Sequence, residues 1–492
     1  MVREVVIGVA TEYTRRAMMS SASDLRQAIS AFRREQATQY LGQLSGRAPA
    51  EPARAWQFLC SPRARDSLAE LGGEGHVDPD EYAAMCTHVA RAVAERAYAP
   101  ARRAELELAM RPVAVEGDER PVGKVIASWL SQTQPAARAR IERELDGLLG
   151  SHAEQLTSAL QDVAGAATEL LSQLRPERGV DAGPADGSVE QAERWLNASA
   201  DLARESWNLE SKRSGGLRGV DVLWALGGRF GGRSFPGEGR FRLQGEDLAA
   251  WGLRPLLAAH VRVTGSHRSL WPSPHVIVRH APDRIYLAPA PLELGLCSEL
   301  AAADAVGRAC AHAHASPALS APVRHASVAS TGRAFGALCM LRYAEPEFLV
   351  RSRGLSLREA SEVARTTVAF FLVESRLAAA AVLARAKAYG SGGVELRQAL
   401  AERALLGPVS PGFAGVLLVR LAPGAPLRAK SLSPGLVWGL RERYDADWYR
   451  NPRAGACLEG FLVQAGAESA EAMAQELAAD MEPGIAKLSE LF

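Results

Sequence analysis

Cys310, His312 and His314, with His325 a short way downstream, have the chemistry of a ligand or nucleophile set. Cys310 and His314 stand four residues apart, so a helix places both on one face, where a thiolate and an imidazole can bind a metal or act as nucleophile and base. Two ligands hold a metal weakly, and His325 could join them as a third. Just upstream, Asp304 and Arg308 have the same spacing with the acid on the N-terminal side, the favoured orientation for a helical ion pair. His267, His275 and His280 read as loop or surface residues. The segment Asp445 to Pro452 combines carboxylates, aromatics and arginines, but these types also build turns and helix ends. Asp447 or Asn451 would shape a turn, Trp448 would anchor two helices, and Arg450 or Arg453 would satisfy carbonyls. The glycine-rich run Leu226 to Phe241 has no G-x-x-x-x-G-K-[ST] and does not join a strand to a helix, so it is no phosphate cradle, although its arginines and phenylalanines can line a cleft.

The elements that must position these residues are mostly helical. Apolar residues recur at three- and four-residue steps through the first 175 residues, as in Ile141, Leu145, Leu148 and Leu149. Residues 1–175 are therefore predicted as an N-terminal helical section. Pro, Gly and Asp concentrate without periodicity in 176–188, which reads as a linker or long loop, and 189–492 forms the C-terminal section. Within it, HVIV (His275 to Val278) and RIYL (Arg284 to Leu287) predict one hairpin, followed by a helix over 298–315 that carries Asp304, Arg308 and the cysteine–histidine set. The expected class is mainly α with a small β-region.

Composition narrows the function classes. A chain of 492 residues with 47% hydrophobic and 23% charged residues buries a large core unaided, and a formal net charge of +1 gives no electrostatic case for nucleic acid or acidic membranes. No signal peptide or uninterrupted apolar span is legible, so the expectation is a cytoplasmic protein with no membrane partner. The six cysteines contain no C-x-x-C pair, which argues against a disulfide framework and a thiolate zinc knuckle.

No H-E-x-x-H motif occurs. The residues around Asp304 nonetheless resemble the zinc helix of the thimet-oligopeptidase and oligoendopeptidase F family, L-L-H-E-x-G-H-A-L-H-F-A-H-T-S-P. Asp304 to Pro317 reads D-A-V-G-R-A-C-A-H-A-H-A-S-P, which fixes the register on Gly307, Ala309, His314, Ser316 and Pro317. That register implies Asp304 and Arg308 where the family has its two zinc histidines and Ala305 where it has the catalytic glutamate. Ser327 to Gly336 (SVASTGRAFG) resembles the next helix and puts Thr331 at the third ligand. Leu427-Arg428-Ala429 and Leu440 to Gly455 resemble the closing helices, with Ala422 and Pro426 where active members have tyrosines. The resemblance spans residues 190–492 and implies a gluzincin-type, zincin-like peptidase fold with a deep channel between helical sections.

With these positions changed, the resemblance implies a degenerate member, a pseudo-peptidase with no cofactor that binds a peptide or protein segment in its channel. Arg308, His312, His314 and Arg428 are the candidate binding residues. Asp304 and Arg308 either fill the former metal site as a salt bridge or leave Arg308 to bind an anionic group such as a peptide carboxylate. Two alternatives remain: an accessory subunit of an active homologue, or a hydrolase with a rebuilt metal site at Cys310, His312 and His314, or at Cys310, His314 and His325.

Overall fold

The computed structural model describes residues 2–45, 47, 54–74, 77–115, 117–132, 134–173, 186–214, 235, 240–265, 274–289, 295–326, 328–388, 393–421 and 427–464, with single positions 475, 477, 485 and 488. Helices α1 (Val2–Leu44), α2 (Arg54–Leu59), α3 (Pro62–Glu74) and α4 (Pro79–Met110) enclose a core of their own. Leu25, Ile29 and Phe32 repeat along one face of α1 and pack with Trp56, Leu68, Met85 and Val89. Asp78 caps α4 by accepting the Asp80 and Glu81 amides, and Pro79 opens the helix. Arg26 then locks α1 to α4 through two 2.7 Å bonds to the Glu81 carboxylate.

A hairpin that the sequence reading did not anticipate follows: β1 (Pro112–Val115) and β2 (Asp118–Pro121) pair antiparallel around Gly117, whose φ of +88° suits glycine. Helices α5 (Val122–Ser131) and α6 (Pro135–Gln173) complete this half. Helix α7 (Asp186–Ala198) begins inside the expected linker, so residues 186–188 are helical; residues 176–185 of that linker lie outside the described residues. Helix α8 (Ala200–Ser214) comes next.

Helices α9 (Arg240–Ala249) and α10 (Arg254–His260) lead into a three-stranded sheet of order β3 (Val261–Val263), β5 (Arg284–Ala288), β4 (His275–His280). The predicted hairpin is there, with Val276 opposite Leu287 and Val278 opposite Ile285, while β3 adds a parallel edge. His275 lies in strand β4, where its Nδ1 is 2.8 Å from the Tyr40 hydroxyl of α1. His267 lies outside the described residues.

The remaining helices are α11 (Leu296–His314), α12 (Ala321–Ala326), α13 (Val328–Leu341), α14 (Pro346–Arg353), α15 (Leu357–Ala388), α16 (Val394–Leu405), α17 (Pro411–Leu421), α18 (Leu427–Tyr444) and α19 (Pro452–Gln464). Their core is continuous with that of α5 and α6: Trp129 and Leu145 belong to the same cluster as Phe335 and Phe371. Leu357–Ala384 is long and apolar enough to cross a membrane, yet 89% of its most apolar window is buried inside the protein. It is the central core helix, and the fully buried Arg376 on it donates to the carbonyls of Leu196, Arg403 and Ala404 at 2.7–2.9 Å.

In the Asp445–Pro452 segment Trp448 is a packing residue. Trp448 is fully buried and stacks on Trp251 at 5.6 Å, its carbonyl accepts the Trp251 indole N–H at 2.9 Å, and its own indole N–H points to Glu345. Asn451 caps α19 by accepting the Arg453 amide. Arg450 departs from the expectation: it pairs with Asp447 instead of a carbonyl.

Candidate functional site

Helices α11 and α13 are held together by two glycines. A Cβ on Gly307 would lie 2.8 Å from both the Cys339 Sγ and the Gly336 Cα, so the backbones approach as no larger residue allows. This approach buries the small residues Ala303, Ala309, Cys310 and Ala313 of α11 and sets the positions on either side. Ala305 is fully buried in the core. Asp304 and Arg308 are neither core nor surface, with side chains 27% and 24% exposed, and Arg308 Nε lies 2.8 Å from Asp304 Oδ2. The contact is an ion pair whose Nε–H is not aligned as a hydrogen bond. On α13, Thr331 is buried with no hydrogen-bond partner for its Oγ1 among the described residues.

Helix α12 brings the N-terminal bundle to this place. His88 of α4 bonds through Nε2 to the Pro322 carbonyl at 3.0 Å, and its ring meets that of His325 edge-on at 6.3 Å. His312 faces the same group. Burial and the charges of Arg33, Arg308, Arg91 and Arg333 push its imidazole down to about 3. His88 is likewise pushed down to about 3 by burial and by Arg33 and Arg91, and His325 falls well below its ordinary value for the same kinds of reason. Arg333 is pushed down to about 10 by burial and by Arg308, with Asp304 opposing.

The structure divides the cysteine–histidine trio. His312 lies with His88 and His325, whereas Cys310 and His314 take another face of α11: their Sγ and Nδ1 are 3.5 Å apart, and the His314 Nδ1 also lies 2.8 Å from the Cys310 carbonyl. Residues two apart on a helix point about 200° apart, so one metal cannot gather Cys310, His312 and His314. His325 sits with the other group, so it does not complete Cys310 and His314 either. Burial also raises the Cys310 thiol well above its ordinary value, which suppresses the thiolate. No group of three metal-ligating side chains occurs among the described residues.

Zinc does not fit the Asp304, Arg308 and Thr331 positions. A guanidinium offers no lone pair, the lone carboxylate is already paired, the hydroxyl is neutral, and Arg33, Arg91 and Arg333 add further like charge. Arg428 is exposed in the first turn of α18, and Ala422 and Pro426 lie outside the described residues. Sequence reading missed Arg33, His88, Arg91 and Arg333. The only local signal was Arg333 inside SVASTGRAFG, since a lone arginine on an amphipathic helix reads as a solvated face.

No family model and no curated protein matches the chain. Solved structures do. Pyrococcus furiosus carboxypeptidase aligns over 96% of this chain and 98% of its own at 10% identity and a TM-score of 0.56. A putative oligoendopeptidase F aligns over 89% and 81% at 11% identity and a TM-score of 0.59, and Trypanosoma cruzi metallocarboxypeptidase 1 over 96% and 98% at 11% and 0.55. The fold is therefore mainly α with small sheets, the helical zincin-like fold of these metallopeptidases.

Proposed function

We propose that this protein keeps the architecture of a metallopeptidase without its zinc chemistry, and binds a peptide or protein segment in the channel between its helical sections. The observation that carries the reading is the Asp304–Arg308 ion pair at 2.8 Å, a cation and its partner where the resemblance calls for two histidine ligands. Binding in a channel depends on shape, apolar walls and a few polar groups, none of which requires the metal, so it can outlive catalysis. A rebuilt metal hydrolase is less well supported, because Cys310 and His314 lie apart from His312 and His325.

Full-length protein purified without chelator is expected to hold well under one equivalent of zinc and to leave quenched fluorogenic oligopeptides intact. Stoichiometric zinc together with chelator-sensitive cleavage would overturn the reading. Retention of peptides from a random library on the immobilised protein, with elution by free peptide, is the positive counterpart.

A further inference from the structure

The place that the resemblance assigns to a cation is lined by cations. Arg308 and Arg333 come from α11 and α13, Arg33 from α1 and Arg91 from α4, and all four act on the His312 ring. Arg324 adds its charge at His325. Arg91 is exposed. Among the described residues, Arg33, Arg308, Arg324 and Arg333 face Asp304, already paired with Arg308, and Glu95, which acts on Arg33.

The same group holds several buried polar atoms without hydrogen-bond partners among the described residues: Arg33 Nε, Arg324 Nε, His312 Nδ1 and His325 Nδ1. Arg33 and His325 are each more than nine-tenths buried. Folded proteins rarely leave such donors unmet, and repelling charges brought from four helices into one place need a reason to stay together. Tight geometry sets this place: Gly336 presses against Asp304 and Arg308, and His88 is fixed to the Pro322 carbonyl beside His325.

We propose that Arg33, Arg308 and Arg333, with His312 and His325, form a binding site for a multiply charged oxyanion of the phosphoryl class. A single carboxylate would offset only part of the excess charge, whereas a phosphate dianion accepts several donors at once and matches planar guanidinium groups. The His88 Nε2 carries the proton given to Pro322, so its Nδ1 is an acceptor, suited to a hydroxyl of a protonated phosphate. The site does not depend on the peptide-binding reading. Its oxyanion can come from a free phosphate or from a phosphorylated side chain of a bound segment.

The test is calorimetric titration of the full-length protein with inorganic phosphate, then with a phosphoserine peptide and its unphosphorylated twin. Arg33→Gln and Arg333→Gln are compared with exposed Arg365→Gln, and melting curves confirm that each variant folds. Expected are saturable phosphate binding, a loss of about tenfold to a hundredfold in both site variants, and no change in the control. Phosphopeptide binding more than tenfold tighter than phosphate, at the same arginines, identifies a phosphorylated segment as the source, and equal affinity identifies a free phosphate. No saturable phosphate binding, or binding indifferent to both site variants, overturns the proposal. If the unphosphorylated peptide binds as well as its twin and phosphate does not compete, the anion site falls while the peptide reading stands. If phosphate binds and neither peptide does, the reverse holds.

Discussion

Gly336 lies directly against Asp304: a Cβ on the glycine would meet the Asp304 carbonyl oxygen and Oδ1 at 2.7 Å each, and the Arg308 Cγ at 2.9 Å. Backbone oxygen cannot yield as a flexible chain end does, so Gly336→Ala must push α11 and α13 apart. A loss of about 1–3 kcal/mol is expected, read as a lower urea midpoint at unchanged slope. Gly460, exposed on α19 with open space around it, supplies the control, and Gly460→Ala should be neutral or stabilise by about 0.5–1 kcal/mol. Equal effects at the two glycines would mean that the close approach of α11 and α13 is not a real constraint.

Acid sensitivity should begin early. His88 and His312 are held down to about 3 in the folded protein, against an ordinary value of 6.5. Between those values the unfolded chain binds more protons, so stability falls as pH drops from 6.5 toward 3 and is independent of these groups above it. The window from ~6.5 to ~5 precedes most carboxylate titration and isolates the effect. The urea midpoint should decline across it, and His312→Phe should flatten the decline. A variant that declines as steeply as the parent would remove His312 from the account.

Trp448 should matter for stability and not for ligands. It is fully buried, stacks on Trp251, and accepts that residue's indole N–H through its carbonyl. Trp448→Ala is expected to cost about 3–5 kcal/mol. Whatever protein remains folded should bind phosphate with the parent's affinity, and a change in affinity without loss of stability would make the segment functional instead.

What the sequence made legible was local. Local pattern predicted the helix carrying Asp304 and Arg308 and the pairing of HVIV with RIYL, because each depends on neighbours within one turn or one hairpin; residue type suggested that Trp448 is an anchor, but not that Trp251, 197 residues away, is its partner. The β1–β2 hairpin escaped because its strands, PVAV and DERP, are short, and the second is almost wholly polar. The convergence of Arg33 and His88 on His312 and His325 escaped for a different reason. His88 reaches a carbonyl 234 residues away, and nothing in the periodicity of α1 or α4 says which distant helix their polar residues will meet. The division of Cys310 and His314 from His312 was, by contrast, implicit in helical geometry. The trio looked like a set only while its residues were read by type.

Arg308 separates the two roles left open for it. Its side chain and that of Asp304 are about one-quarter exposed, and the pair lacks an aligned Nε–H bond, so solvent screens it and its net contribution to stability is about 0–1 kcal/mol. Arg308→Ala also relieves repulsion from Arg333, which offsets part of that small loss. The melting temperature should therefore change little. Binding is another matter, because a guanidinium at the edge of a partly desolvated site gives a charge-assisted bond of about 1.5–3 kcal/mol to an anionic group, so affinity for phosphate or for a retained anionic peptide should fall about tenfold or more. If Arg308 only pairs with Asp304 where the resemblance would place a zinc ligand, the same change leaves a carboxylate among the remaining arginines and affinity is unaffected. Melting temperature and affinity measured on this one variant distinguish these cases, and lost stability with unchanged affinity would refute a binding role for Arg308.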